Sequence, residues 1–508
     1  MFEAIKRFFR KGAVKMNLKN SINKITDHEK INVSWNEFQR IEKDLLFYKG
    51  EFPNVKYTNT YGRIKERPYV SLNVSKLSAH RMATLIFNEK CRINIADNNA
   101  ASYINDVLQN NKFMRNFSEY LETMIALGGV AIRPYYSAAE NKIKLSWIQA
   151  TNFFPLQSNT ADVSECAIAI PSQVTRSGKT YYYTLLEFHE WKNGQYVITN
   201  ELYESDSPDI IGHNVPLGML YDDMQPQTIV EGLTAPLFIY LKNTGKNNLD
   251  ITSPLGLGHA SNSLNTLKQI NDTYDMLNHE IKMSKRRIAV SDALLNVMPD
   301  ESGEAPVRTF DTNESIYETF PTYGDEDYIK DLTAPLRAAE YTEALNTLIK
   351  VYEQEIGVSQ GTFSFDVAGG IKTATEVASE NSMTYQTRNE YTTAVEHALK
   401  ELIIAILELS VRVTGTNGAA LYNGPIPTHE EITVDFDDGV FTDRAAELEF
   451  LTKAKAAGFI PTENAIMRLF DLDKETAAQW ISIINNETMA TVTASYGDMA
   501  TEPQLEDE

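Results

Sequence analysis

The strongest constraint on the fold is a pair of helical segments that flank a long acidic insert, each carrying a single apolar stripe. The first helix is predicted over 256–285, after Ser253 and Pro254, which suit a helix cap and a first turn. Its stripe consists of Leu267, Ile270, Tyr274, Leu277 and Ile281. Spacings of three and four are typical of a seam between packed helices. A helix of this length would span roughly 45 Å.

The second helix is predicted over 336–357, beginning after Thr333 and Pro335 and ending at Gly357. Its apolar stripe consists of Leu345, Leu348, Tyr352 and Ile356. The two helices are predicted to form an antiparallel hairpin with the insert at its tip. Each stripe needs a neighbouring surface to bury it, and identical copies of the chain are one possible source of that surface.

The insert over 286–335 is predicted to be non-helical, with strand-like pieces at Ile288–Val290 and Ile316–Phe320. Its most closely grouped acidic residues are Asp300, Glu301, Glu304, Asp325, Glu326 and Asp327. Two interpretations stay open. The insert is either a solvated surface loop or a docking platform for basic partner surfaces, since patterned charge sets encounter and register.

A basic cluster lies where the first helix is predicted to end. It consists of Lys282, Lys285, Arg286 and Arg287. One interpretation is that these cations complement the negative end of the helix dipole. The other is that many copies build a basic ring that contacts phosphates in the channel.

The first half of the chain is predicted to be a mixed α+β domain. Helices are expected over 73–90, with Leu77, Met82, Leu85 and Ile86 as the apolar face, and over 113–127. Residues 1–66 are expected to be mostly helical and to end in a loop. The pattern from 143 to 242 is that of strands, with a hairpin turn at Asn193 and Gly194.

The C-terminal part is predicted to start with a long helix from a capping box formed by Thr373 and Glu376, and to reach as far as Val413. A strand is expected over 432–436 and a small helical module over 443–485. The acidic tail over 486–508 has the composition of a disordered segment.

The net charge of −22 makes the chain a poor candidate for a protein that binds phosphate backbones tightly, although such a chain could still surround DNA.

Cys91 and Cys166 lack the spacing of a zinc site or a disulfide framework, and are expected to be buried thiols. No stretch reaches the length of a membrane span. The basic, amphipathic arm over 1–29 could lie on a membrane or on a partner, and a surface arm of a larger assembly is favoured.

No motif predicts catalysis, a metal or a cofactor. Ser177–Thr180 resembles the end of a phosphate-binding loop, but it lacks the upstream glycine and is predicted to be a hairpin turn. Gly256 and Gly258 lack the third glycine of a dinucleotide fingerprint, so a close backbone approach is favoured. Asp435, Asp437 and Asp438 fit a strand end with a turn better than a calcium loop, and a structural cation there stays open. Adjacent strand residues His189 and Glu190 are expected to face opposite sides.

Several sequence segments resemble those of portal proteins of tailed double-stranded-DNA phages, in the group from low-GC Gram-positive hosts. They are NVSKLSAHRMATLIFNE at 73–89, ALGGVAIRPYY at 126–136, LEFHEW at 186–191, GIKTATEV at 370–377 and ITVDFDDGVFTD at 432–443. The resemblance extends over roughly 30–485. It is carried by these segments together with the order of the helices, insert, loop and long helix.

The resemblance implies an α+β ring protein, usually of twelve subunits, with named parts. These are a mixed α/β wing at 30–250, stem helices at 251–285 and 336–357, a small α/β clip at 286–335, a tunnel loop at 358–372, a long wing helix and returning strand at 373–439, and a helical crown at 440–485. A non-enzymatic head–tail connector for genome packaging and ejection is implied.

The resemblance also implies partners. They are the terminase large subunit, a head–tail adaptor, major capsid and scaffolding proteins, and DNA that passes without sequence recognition. The expected place is the portal vertex of the virion, after assembly in the bacterial cytoplasm. The implied tunnel-loop residues are Ser359, Gln360, Gly361, Gly369, Gly370 and Lys372.

Two other classes remain as alternatives. A scaffold or minor capsid protein with coiled-coil helices is disfavoured by the strand-rich region at 143–242. A packaging ATPase is disfavoured by the incomplete phosphate-binding loop around Lys179.

Overall fold

The structure is a computed structural model that describes most of the chain. The described residues are 21–58, 62–88, 90–222, 224–284, 287–291, 316–320, 329–331, 335–363, 382–416, 418–436, 444–470, 472, 474 and 476–485. They fall into two compact units, one within 21–436 and one from 444 onward. The fold class is mixed α+β, as predicted.

Seven α-helices lie among the described residues of the larger unit, and the first three along the chain begin at a polar side chain that caps them. They are α1 (Trp35–Lys49), α2 (Val74–Ile86), α3 (Asn98–Asn110), α4 (Phe113–Leu127), α5 (Leu264–Met283), α6 (Ala338–Glu355) and α7 (Ser382–Arg412). Ser34, for instance, accepts a hydrogen bond from the backbone of Asn36 at the start of α1, and Gly50 closes the same helix in a left-handed conformation.

A seven-stranded antiparallel sheet forms the largest β element. Its strands are β1 (Ser21–Ile22), β7 (Phe153–Ser158), β8 (Val163–Arg176), β9 (Lys179–Lys192), β10 (Gln195–Ser205), β11 (Gly212–Val215) and β12 (Gln227–Val230). Their order is β1-β11-β10-β9-β8-β7, with β12 also paired to β10. Asn193 and Gly194 both have positive φ, so the predicted two-residue hairpin turn between β9 and β10 is confirmed.

Ser177 and Gly178 form the corresponding turn between β8 and β9, also with positive φ at both residues. The phosphate-loop-like sequence is therefore a hairpin turn, as expected. Lys179 pairs with Asp206 at the surface, 2.8 Å away.

A smaller three-stranded sheet carries helices on it. Its order is β13-β5-β6, with β5 at Gly129–Ser137, β6 at Lys142–Gln149 and β13 at Ile239–Lys242. Helices α4 and α7 pack against this sheet. The predicted helix at 113–127, its left-handed glycine at Gly128 and the strand that follows are confirmed.

Remaining strands form small antiparallel pairs and one mixed sheet. Strand β17 (Ile432–Asp435) pairs with β4 (Arg92–Ile95), so the predicted strand near 432 is confirmed. Within the acidic insert, β14 (Arg287–Ser291) pairs in parallel with β15 (Ile316–Phe320) and antiparallel with β16 (Ile329–Asp331). Both strand-like pieces predicted for the insert are therefore present.

Two local predictions for the first 90 residues are wrong. A β-hairpin of β2 (Val55–Thr58) and β3 (Ile64–Arg67) lies where only a loop was expected. Leu77 was assigned to the apolar face of α2, but its side chain is 52% exposed. The buried face of this helix is centred on Ser78, Met82 and Leu85, and Leu77 is rotated away from it.

Helix α5 begins at Leu264, not near residue 256 as predicted. Residues 254–260 instead cross the end of α4, where the His259 backbone N–H donates to the Ile125 carbonyl at 2.9 Å. A Cβ on Gly256 would lie 2.2 Å from the Gly128 carbonyl oxygen. The close approach expected from these glycines is therefore confirmed, but it takes place in the segment before the helix.

The smaller unit is helical, as predicted. It contains α8 (Arg444–Ala456), α9 (Thr462–Phe470) and a further helical stretch over 476–485. The rings of Phe470 and Trp480 pack in a tilted arrangement with centroids 5.4 Å apart, which joins the last two helices.

Candidate functional site: the helical hairpin and the loop after it

Helices α5 and α6 form the antiparallel hairpin that the stripes predicted. Near the tip, Arg337 donates twice to Glu280, at 3.1 and 3.0 Å. Near the base, Thr266 donates to Glu355 at 3.0 Å. The start of each helix thus lies beside the end of the other. The hydrogen bonds from Arg337 lower the pKa of the half-buried Glu280 carboxyl.

The hairpin has its own apolar core. Leu267 and Ile270 of α5 are buried with Leu345, Ile349 and Tyr352 of α6. A single copy therefore covers much of the stripe that was expected to stay open until identical neighbours arrived, and that expectation is wrong for the base of the hairpin. Toward the tip of the hairpin the stripe is less buried, and Ile281 is 49% exposed.

A buried polar cluster joins the hairpin to the rest of the larger unit. Ser78 Oγ lies 2.7 Å from both Tyr352 Oη and His259 Nε2. His259 Nδ1 lies 3.1 Å from the Ile125 carbonyl, which requires the proton on Nδ1 and leaves Nε2 as an acceptor in the neutral ring. Burial lowers the pKa of His259 to about 4, so the ring is neutral at pH 7.

A second buried cluster holds α1 against the segment before the hairpin. Arg40 contacts Glu37 at 3.2 Å and Asp44 at 3.4 Å, and Ser261 donates to Asp44 at 2.7 Å. Burial raises the pKa of Asp44 to about 6, because the hydrogen bond from Ser261 and the charge of Arg40 only partly offset the desolvation.

An arginine clamp fixes the segment before α2 along α5. Arg67 donates with both terminal nitrogens to Asp275, at 2.7 and 2.6 Å, and the backbone of Val70 donates to the same carboxylate at 3.1 Å. Tyr69 donates to Asp272 at 2.7 Å. One side of α5 is therefore covered by this segment.

The loop that leaves α6 is anchored from both sides at its start. Glu353 is fully buried, and its carboxylate accepts hydrogen bonds from the backbones of Gly361, at 2.7 Å, and Phe363. The backbone of Ser359 donates to Thr384 of α7 at 2.9 Å, and Thr387 donates to the Gly357 carbonyl at 2.6 Å. Residues 357–363 are thus held by the end of one helix and the beginning of another.

The residues implied for the tunnel loop are only partly described. Ser359 is buried against Thr384, whereas Gln360 and Gly361 are exposed beside it. Gly369, Gly370 and Lys372 lie outside the described residues, as do Thr373 and Glu376 of the expected capping box. The structure brings the first three together, and the roles of all six stay predictions.

The charged positions at the tip are also only partly described. Lys282 lies in the last turn of α5, and Arg287 opens strand β14. Lys285 and Arg286 lie outside the described residues, together with Asp300, Glu301, Glu304, Asp325, Glu326 and Asp327. Asp437, Asp438 and Gly439 of the possible calcium turn also lie outside them, whereas Asp435 ends strand β17.

Sequence reasoning missed the residues that hold this site together. Glu353, His259 and Thr384 carry no motif. The partners of His259 and Thr384 lie far along the chain, and those of Glu353 are backbone N–H groups, which no residue type identifies. For Glu353 a weak signal exists, since an acidic residue in the last turn of a helix opposes the dipole and calls for backbone donors nearby.

His189 is buried and contacts Tyr196 at 2.8 Å and Glu187 at 2.6 Å, while Glu190 on the opposite side pairs with Lys30. The prediction that His189 and Glu190 face opposite sides of the sheet is confirmed.

Both cysteines are buried and free, as predicted. Among the residues that the structure describes, no group of histidine, cysteine, aspartate and glutamate could hold a metal ion, and no helix is long and apolar enough to cross a membrane.

A protein-family model matches most of the chain. The family model described as phage portal protein, SPP1 Gp6-like, matches residues 27–488. No curated protein matches the sequence.

Solved structures of low sequence identity also match. The neck of an empty gene transfer agent particle, computed with C6 symmetry, is 13% identical, with 78% of this chain and 88% of that chain covered and a TM-score of 0.41. The virion of a native gene transfer agent particle is 10% identical, with 84% and 98% covered and a TM-score of 0.42.

Proposed function

The chain belongs to the SPP1 Gp6-like family of phage portal proteins, and we propose that it forms the ring-shaped channel of a phage head, through which DNA is packaged and ejected. Proteins of this family are structural and not enzymes, which agrees with the prediction from the motifs. The observation that carries the proposal is the antiparallel hairpin of α5 and α6 with the insert at its tip, within a chain of this family.

We assign the hairpin to the wall of the channel. A closed ring of twelve copies, each of net charge −22, would carry on the order of −260 charges. Such a wall repels phosphates, so DNA slides without deep binding minima. In this arrangement the basic cluster at Lys282, Lys285, Arg286 and Arg287 centres the duplex at one height.

We assign the loop over 358–372 to the constriction around DNA. Its anchored start at Glu353 and Thr384 gives the loop a fixed base, and Gly369 and Gly370 allow the backbone changes that passage of a helical duplex requires. Gln360, Gly361 and Lys372 are the positions we expect closest to the cargo.

We assign the insert over 286–335 to docking. Its acidic residues suit a basic surface, first on the terminase large subunit and later on a head–tail adaptor. The larger unit around the insert would meet capsid and scaffolding proteins, and the assembled ring would lie at the portal vertex of the virion.

The test is a count of subunits. The purified full-length chain should form an annular oligomer in negative-stain images, with a mass near twelve copies of 57.3 kDa by mass photometry. A chain that stays monomeric at every concentration and salt tested would overturn the proposal. ATP turnover lost in a Lys179→Ala variant would instead revive the ATPase alternative.

A further inference from the structure

The hairpin presents two different surfaces on its outside. On α5, Met276 is 56% exposed although it belongs to a helix whose other side is buried. On α6, a groove of about 680 Å³ is lined by Ala338, Ala339, Thr342, Glu343, Asn346 and Lys350. Neither surface takes part in the core of the hairpin itself.

These two surfaces point in opposite directions. Successive helix residues are rotated by about 100° about the helix axis, and we count this sense of rotation, from the N-terminus to the C-terminus, as forward. Met276 then lies about 140° backward from the centre of the apolar stripe on α5. The groove lies about 120° forward from the centre of the stripe on α6. Because α5 and α6 are antiparallel, a backward offset on one and a forward offset on the other bring the faces to opposite sides of the plane of the hairpin.

The two surfaces also lie at similar heights. Arg337 pairs with Glu280, and Met276 lies one turn before Glu280. Its height therefore matches a position about one turn after Arg337, which lies in the first third of the groove, close to Thr342. A rotation about a ring axis parallel to the hairpin moves a subunit sideways and leaves its height unchanged, so Met276 of one copy would arrive at the groove of the next.

We propose that Met276 of each subunit inserts into the groove on α6 of a second copy of this chain, and that this knob-and-groove contact is the joint between neighbouring hairpins. The contact is heterologous, since the two sides are different surfaces, and repetition of a heterologous contact closes a ring when the rotation allows it. The inference rests on the proposed ring and specifies which faces build it. An unbranched methionine suits such a joint because its thioether adapts to an irregular groove.

A cross-link tests this contact directly. Met276→Cys and Ala339→Cys in one chain, treated with a short bismaleimide linker, should give a ladder of oligomers on a denaturing gel that ends at the full ring. Within one copy the two positions lie on opposite sides of the hairpin, so the ladder reports contacts between copies. Cys91 and Cys166 are buried and give little background.

The matched control is Met276→Cys with Val351→Cys. Val351 is also an exposed apolar residue of α6, but its rotation places it on the same side of the hairpin as Met276. This pair should give no ladder. A ladder of equal strength from both pairs, or none from the Ala339 pair in chains that form rings, would refute the joint.

A second variant separates this inference from the proposed function. Met276→Glu should lower the fraction of chains in rings at least about tenfold at a concentration where half of the wild-type protein is assembled, because the carboxylate must give up its hydration to enter the groove, where Glu343 repels it. Val351→Glu should leave the ring fraction within about twofold of wild type. Wild-type protein that forms no ring would refute the proposed function, whereas rings that persist in Met276→Glu would refute only the joint.

Discussion

The crossing of Gly128 and Gly256 gives the sharpest stability prediction. In Gly256→Ala, the new Cβ would lie 2.2 Å from the Gly128 carbonyl oxygen and 3.0 Å from the Cβ of Lys242. Relief of such an overlap needs a main-chain movement of about 1 Å, and overpacking in a closed site costs about 1–3 kcal/mol.

The movement also strains hydrogen bonds at the same crossing. The Asn243 backbone donates to the Gly128 carbonyl at 3.1 Å, and the Asn243 side chain donates to Leu257 at 2.6 Å. If both weaken, each adds about 1 kcal/mol, so we expect Gly256→Ala to lower the free energy of unfolding by about 3–5 kcal/mol.

The assay is thermal unfolding followed by circular dichroism at fixed protein concentration. Gly218→Ala is the matched control, since a Cβ on Gly218 meets nothing within 4 Å. It should melt within a degree or two of wild type, because exposed substitutions cost little. If Gly256→Ala also melts with wild type, the close approach is not present and the reasoning fails.

Four further predictions follow from the site and the proposed function. Asp325, Glu326 and Asp327 changed together to Lys should spare ring assembly and block packaging or tail joining in a phage complementation assay, and normal phage yield would remove the docking assignment. Gly369→Pro with Gly370→Pro should reduce packaged DNA with rings intact, and unchanged packaging would show that the loop does not move with its cargo. Glu353→Gln keeps the shape of the side chain but removes the charge that accepts the backbones of Gly361 and Phe363, so hydrogen exchange over 357–363 should rise severalfold, while an unchanged rate would show that the carboxylate does not hold the loop. His259 and Asp44 should give opposite pH dependence. The folded state disfavours charging of His259, so its contribution is lost as pH falls from 6.5 toward 4, and the folded state disfavours ionisation of Asp44, so its contribution is lost as pH rises from 4 toward 6. Relative to wild type, Asp44→Asn should therefore gain stability with rising pH and His259→Gln with falling pH, each by at most about 3 kcal/mol in urea titrations, and parallel slopes would contradict the buried clusters.

The sequence predicted best the elements whose signals are local. Helix α4 was predicted over 113–127, where the structure has it, because Gly128 and Gly129 mark its end; its buried face, which includes Phe113, Phe117 and Leu121, repeats at helical spacing. The turn at Asn193 and Gly194 was predicted because both residues tolerate positive φ.

Predictions failed where partners distant in the chain decide the outcome. The start of α5 was placed too early because Pro254 suits a helix start, whereas residues 254–260 are irregular and contact Gly128 and Ile125. The apolar stripe on α5 was expected to stay exposed until another copy covered it, yet Ile349 and Tyr352 of the same chain cover its first half. Periodicity shows that a face must be buried and cannot show which surface buries it.

The hairpin core has a consequence for the order of events in assembly. Since Leu267, Ile270 and Tyr352 are enclosed within one polypeptide, a newly synthesised chain can complete this core before it meets another copy. Subunits then associate with this core already folded, so the free energy of association does not have to stabilise the hairpin. We therefore expect folded subunits to exist before they join a ring, and the subunit concentration to set when the proposed ring closes.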